Sequence, residues 1–235
     1  MPAPRFVNAN PYPWPYDGDL TEANTALVII DMQNDFCSPG GYVEKMGYDL
    51  GLTRAAIAPI QTLLGAARER GYHIIFTREG HRPDLSNLPA NKLWRSRRIG
   101  AGIGDPGPMG RILVVGEKGQ DVIPELYPRA GETVIDKPGK GAFVGTDFGL
   151  ILMTLGIRNL IICGVTTDVC VSTTMRDAND LGYECLLVED GTGATDYGNY
   201  LAALKMVTMQ GGVFGAIAPT AEIMQVIRAP LVLHG

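Results

Sequence analysis

Ala26-Leu27-Val28-Ile29-Ile30-Asp31 is the stretch on which the fold turns. Five apolar residues run without a break and end on a carboxylate. The run is too short for a helix, is rich in β-branched side chains and shows no polar alternation. It reads as a strand buried on both faces, which belongs in a parallel sheet. The flanking segments agree. Residues 53–70 place Ile57, Ile60, Leu63, Leu64 and Ala67 at helical spacing, and Gly71 stops them. His73–Thr77, Thr133–Asp136, Leu160–Cys163 and Leu186–Val188 read as further strands, and Val213–Gly215 as the start of a sixth. Helices are expected near 147–156, 168–181 and 197–209. Strands alternating with helices predict a three-layer α/β/α fold around a mostly parallel, doubly wound, Rossmann-like sheet of six strands.

Residues 1–25, with Pro11-Tyr12-Pro13-Trp14-Pro15-Tyr16, read as an arm that packs on the domain or on a neighbouring subunit. Residues 26–235 read as a single domain. It carries a loop-rich insertion at about 78–130, of a length that is usually functional or interfacial.

Composition excludes several classes. A net charge of −5 argues against a basic nucleic-acid face. The first residues lack the apolar run of a secretory signal, and no stretch approaches the ~20 apolar residues of a membrane span. A cytoplasmic protein without membrane or nucleic-acid partners is expected. Cys37, Cys163, Cys170 and Cys185 show no C-x-x-C spacing, so no disulfide framework is expected. Cys163 and Cys185 lie in strand-like runs and read as small buried apolar residues. No G-x-G-x-x-G follows the first strand, and there is no P-loop.

Ligands of open α/β sheets bind beyond the carboxyl ends of the strands. Three reactive side chains fall there. Asp31 closes the first strand; the plainer alternative is a capping carboxylate. Lys137 closes the third; the plainer alternative is a surface lysine, with Lys140 as a neighbour in a more exposed Gly-Lys-Gly. Cys170 lies just after the fourth strand, in the first turn of a helix that Thr167 or Asp168 can cap. A free thiol titrates near ~8.5, and a helix N-terminus lowers that value. A thiol, a carboxylate to move its proton and a cation to bias both form a nucleophilic set.

These segments resemble the isochorismatase-like cysteine hydrolase superfamily: VIIDMQNDF at 28–36, DKPGKGAF at 136–143 and CGVTTDVCVSTTMRDA at 163–178. The resemblance implies Asp31, Lys137 and Cys170 as the catalytic residues. It also implies a cis peptide at Val165–Thr166, and an oxyanion hole formed by the backbone N–H groups of Thr166 and Cys170. Within the superfamily the chain is similar to biuret hydrolases and their triuret-hydrolysing relatives. That likeness rests on Pro11–Tyr16, residues 40–49, REGHRPDLSNLPANKLWRS at 78–96, IGAGIGDPGP at 99–108, and ATDYGN with KMVTMQGGVFG in 194–215.

What this implies is hydrolysis of biuret to allophanate and ammonia, or of triuret, through a covalent acyl-enzyme. Ureidoacrylate or another carbamoyl amide is the alternative substrate, and a scaffold of the same fold is the non-enzymatic one. Phe36 would line the pocket, and Gln210 would bind substrate amide near Lys137. Metal-bearing relatives carry an Asp/His cluster after the second strand. Only His81 is noted there, so neither metal nor other cofactor is expected. Relatives commonly assemble as tetramers, which implies a homo-oligomer. Arg78, Arg82, Arg95 and Arg97 are read as surface or subunit contacts, and Trp94 as a packing or interface anchor.

Overall fold

A computed structural model describes residues 3–229. Its main sheet has six strands: β1 Thr25–Ile30, β2 His73–Glu79, β3 Thr133–Lys137, β4 Asn159–Val165, β5 Glu184–Gly193 and β6 Ala216–Ala218. They pair in the order β3-β2-β1-β4-β5-β6, every pair parallel. This is a doubly wound order, and its direction reverses between β1 and β4.

Strand β1 is buried along its whole length. Its side chains alternate between two cores. Leu27 and Ile29 join a core with Ile60, Leu63 and Leu64 of α1 (Ile57–Arg70) and Ile223 and Ile227 of α6 (Thr220–Arg228). Ala26, Val28 and Ile30 join one with residues of α3 (Phe148–Thr154), α4 (Ser172–Asp180) and α5 (Tyr197–Thr208). Helices therefore cover both faces, as the unbroken apolar run requires. Cys163 packs in the first core and Cys185 in the second.

Three boundaries differ from the sequence expectation. The segment 53–70 is split into a short helix, Leu50–Arg54, and α1 from Ile57. Pro59 has no N–H for a bond to Ala55, and it sits instead in the first turn of α1, where none is needed. Residues 213–215 form a turn, and β6 starts only at Ala216, because Gly212 and Gly215 take positive φ and Gly215 closes on the Gly212 carbonyl. The loop-rich stretch 78–130 contains a helix, α2 (Ala90–Arg98), and a two-residue ladder of Pro106–Gly107 with Gly110–Arg111. Helix α2 buries only Ser96, so no apolar stripe announces it.

The aromatic arm lies on its own chain. Val7 and Trp14 bridge each other and are fully buried. Asn10 exchanges backbone hydrogen bonds with Ile217 of β6, which covers a sheet edge. Among the described residues no helix is long and apolar enough to cross a membrane.

Candidate active site

Strands β1 and β4 approach closely where the sheet order reverses. Ile30 lies opposite Gly164, whose φ is 108°. A Cβ on Gly164 would collide with the Ile30 backbone, so only glycine allows this pairing. Asp31 leaves β1 on one side of the junction, and Thr166 leaves β4 on the other.

Asp31 is fully buried and takes a left-handed φ of 49°, which aspartate tolerates better than most residues. Thr77 of β2 donates its hydroxyl to Asp31 Oδ1 at 2.7 Å. Lys137 Nζ lies 2.7 Å from Asp31 Oδ2 and also donates to the carbonyls of Gly139 and Lys140, at 3.1 and 2.9 Å. The loop after β3 thus folds back to satisfy the ammonium it buries, as a buried charge demands. Burial opposes the charge on Lys137, but Asp31, Cys170 and Glu79 outweigh it and raise its pKa.

The Val165–Thr166 peptide is cis. Beyond it, Thr167–Val171 forms a single π-helical turn that continues into α4 and holds Cys170. Such turns are frequent at functional sites. Neither Thr167 nor Asp168 caps the helix, contrary to the sequence expectation. The Thr167 hydroxyl bonds that of Thr192 on β5, and Asp168 accepts from Asn199 on α5. Both side chains instead tie the turn to its neighbours.

Thr174 donates to the Cys170 carbonyl, and its oxygen accepts from the N–H of Ala142. The helix of Cys170 is thereby joined to the lysine loop. Burial pushes the Cys170 thiol up; Lys137 and Lys140 pull it down, while Asp31 and Glu79 push it further up. The direction is opposite to the lowering expected from a helix N-terminus, because burial is the largest influence on this thiol.

A residue missed in the sequence joins the cluster. Glu79, the last residue of β2, is fully buried. Cys170 Sγ is 3.6 Å from its Oε2, and Lys92 and Lys140 reach its Oε1 at 2.6 and 2.9 Å. Burial alone would raise its pKa, but Lys140, Lys92 and Lys137 reverse that and hold it well below the usual carboxylate range. Gln33 clamps its backbone, accepting from the Glu79 N–H at 2.7 Å and donating to its carbonyl at 2.9 Å. The signal available was Glu79's place at a strand end, beside the Asp31 strand. It is hidden because the apolar run stops at Phe76, while the strand continues through Thr77 and Arg78 to Glu79.

Ligating atoms of Asp31, Glu79 and Cys170 lie within 4.8 Å of one another. The carboxylates, however, already face the ammonium groups of Lys137, Lys92 and Lys140. Three cations against two anions is a poor environment for a further cation. His81 is also buried, with Nδ1 at 3.2 Å from the Asn87 carbonyl.

Phe36 is buried and packs edge-on against Tyr42, at 6.1 Å between centroids. Tyr42, Lys92 and Lys140 line a cavity of about 390 Å³ that also touches Trp94, Arg95 and Arg98. Arg98 stacks over Trp94. Arg78 pairs with Asp121 and Asp136, and Arg97 with Asp105. Gln210 is not gathered with these groups. It is exposed, with φ 54°, in the turn before β6. That is the amino end of the sheet, beside Tyr12, whereas Asp31, Glu79 and Lys137 sit at the carboxyl end.

Known proteins resemble this chain in sequence and fold. Residues 25–221 match the isochorismatase domain model. The ureidoacrylate amidohydrolase RutB of Azorhizobium caulinodans is 36% identical over 171 residues, covering 72% of this chain and 75% of the relative. RutB of Yersinia enterocolitica is 33% identical over 231 residues, covering 94% and 99%. Among solved structures, a cysteine hydrolase from Pseudomonas syringae pv. phaseolicola superposes with a TM-score of 0.74 at 26% identity, covering 88% of this chain and 94% of that one. The N-carbamoylsarcosine amidase of Thermoplasma acidophilum gives 0.64 at 25% identity, covering 84% and 96%. With most of its length matched and its fold shared, this chain belongs to the isochorismatase family of hydrolases.

Proposed function

We propose that the chain is a cysteine-dependent amidohydrolase of small linear ureides, with Asp31, Lys137 and Cys170 as its catalytic residues. The observation that carries this is the dry cluster at the switch point: a thiol beside carboxylates, with a lysine ion-paired to Asp31 at 2.7 Å. The similarity to ureidoacrylate amidohydrolases supports an amide next to a carbamoyl group, and among such amides a ureidoacrylate-type substrate. Biuret or triuret is the second reading. It is supported by the long resembling segments at 78–108 and 194–215, and by a carboxylate, Glu79, beside the thiol, which suits a neutral, donor-rich molecule.

In this reading Asp31 accepts the Cys170 proton as sulfur bonds to the substrate carbonyl carbon. Lys137 stabilises the thiolate and the charge that develops on oxygen. Backbone N–H groups of Thr166 and Cys170 complete the oxyanion site; one such donor is typically worth ~3 kcal/mol. The C–N bond breaks, and Asp31 returns its proton to the leaving nitrogen. Water, deprotonated by Asp31, then attacks the thiocarbamate carbon, and the thiol is regenerated with its proton. For biuret the products are ammonia and allophanate.

Parallel turnover of ureidoacrylate, biuret, triuret and nicotinamide tests the substrate class. Turnover of a linear ureide and none of nicotinamide is expected. Turnover of nicotinamide alone would overturn the reading. We further propose a homotetramer, supported by exposed apolar residues on one side of the molecule: Val144, Leu150, Met153 and Leu181.

A further inference from the structure

The acyl-transfer steps leave Glu79 without a task, yet it is among the most constrained side chains in the molecule. Its two oxygens differ. Oε1 faces two ammonium groups, Lys92 at 2.6 Å and Lys140 at 2.9 Å. Oε2 has Lys140 at 3.3 Å and then the thiol of Cys170 at 3.6 Å. A carboxylate oxygen has two lone-pair directions; at rest Oε2 turns one to Lys140 and the other to the thiol, and the second is free to accept from a ligand once the sulfur gives up its proton. The Gln33 clamp holds the backbone from behind, which fixes where that oxygen points. Lys92 and Lys140, which both pair with Glu79, line the cavity of about 390 Å³, so Glu79 lies one side chain behind its wall.

Held ionised by three lysines, Glu79 is a poor proton acceptor. What it offers instead is a fixed acceptor that can only accept. A ligand group placed against it must carry N–H, and a carboxylate placed there would meet like charge in a dry site.

We propose that Glu79 is a specificity-determining residue that takes a hydrogen bond from an N–H of the ureide at the reacting end, through Oε2, and so selects ureides over isosteric esters and acids. The proposal rests on the ureide reading above. It predicts that an anionic group of the substrate, if present, lies away from the thiol. Sites built to bond a substrate N–H discriminate strongly against analogues lacking it.

The test compares Glu79→Gln with the wild type on two substrates: the best ureide, and an activated aryl ester that has no N–H. A hydrogen bond to a charged group is worth about 10- to 100-fold in affinity. The expected result is a loss in kcat/KM on the ureide that exceeds the change on the ester by a factor of that size, carried mainly by KM. Glu79→Asp should recover part of the ureide rate. Equal losses on both substrates, or no loss on the ureide, would overturn the proposal.

Replacing Glu79 strips two lysines of their partner, so the wild type supplies a second measurement that needs no variant. N,N-dimethylation of the ureide's terminal nitrogen, which removes both of its N–H groups, should raise KM by a similar factor, and an unchanged KM would overturn the proposal. A wild type that turns over the ester but no ureide would overturn the proposed function, and this proposal with it. A wild type active on ureides with an unaffected Glu79→Gln would overturn this proposal alone.

Discussion

Lys137 is the point at which the cluster is most easily broken. Its ammonium is wholly buried and answers Asp31 at 2.7 Å. Removing one partner of such a pair strands the other charge, at a cost of about 3–5 kcal/mol. Lys137→Met should therefore lower the denaturation midpoint sharply and abolish turnover. Asp31→Asn combined with Lys137→Met should recover stability relative to Lys137→Met alone and stay inactive, because the stranded charge is gone but so is the base. A double variant no more stable than the single one would contradict the pairing. Glu79 makes a pH prediction at the same scale. Its folded pKa lies below the ordinary 4.5, so the unfolded chain binds the proton first as pH falls. Its contribution is complete above about pH 4.5 and is lost progressively below it. Between pH 6 and pH 3 the wild type should lose more stability than Glu79→Gln, as measured by denaturant unfolding at each pH. Asp31 and Lys137 were legible as candidates because each closes a strand, and Cys170 because it lies just beyond one. Glu79 was not, since nothing in the sequence shows that Lys92, from a helix without an apolar stripe, reaches back to β2.

At the scale of elements, the junction of β1 and β4 decides where those residues meet. Gly164 permits the close approach of the two strands. In Gly164→Ala the unfavourable backbone conformation alone costs about 1–3 kcal/mol, before any clash with Ile30. The expected outcome is a lower melting temperature together with lost turnover, since β1 and β4 carry Asp31 and the Cys170 turn. Wild-type melting in that variant would contradict the described approach. Strand identities were legible because β1, β2 and β4 each contain an unbroken run of apolar residues. The turn around Cys170 was not: an i→i−5 turn has no distinct residue signature, and Thr167 and Asp168 look like caps while bonding to Thr192 and Asn199. The motif Met32-Gln33-Asn34-Asp35 has a structural reading as well. Asn34 and Asp35 donate their N–H groups to Asp121 and Gly119, and Asp35 Oδ2 accepts from the Leu113 N–H. The segment after β1 thus fastens the loops of the 78–130 stretch over the sheet end. Burial raises the Asp35 pKa to about 6.

For the whole molecule, the doubly wound order puts the three polar strand ends Asp31, Glu79 and Lys137 at one end of the sheet and leaves Gln210 at the other. Sequence periodicity yields the layers, but it cannot say which loop of one chain stands beside another chain. The proposed tetramer predicts a solution mass of four chains by light scattering; a monomeric mass at micromolar concentration would contradict it. The same order gives the cysteine its setting, a buried thiol between two carboxylates and three lysines, and makes it the centre of the chemistry. The most direct measurement is the turnover of the best linear ureide by Cys170→Ala beside the wild type, with melting curves for both. The account predicts that the variant stays folded and loses at least about 10³-fold in kcat, as removal of a nucleophile does. A folded Cys170→Ala protein with near-wild-type turnover would contradict it.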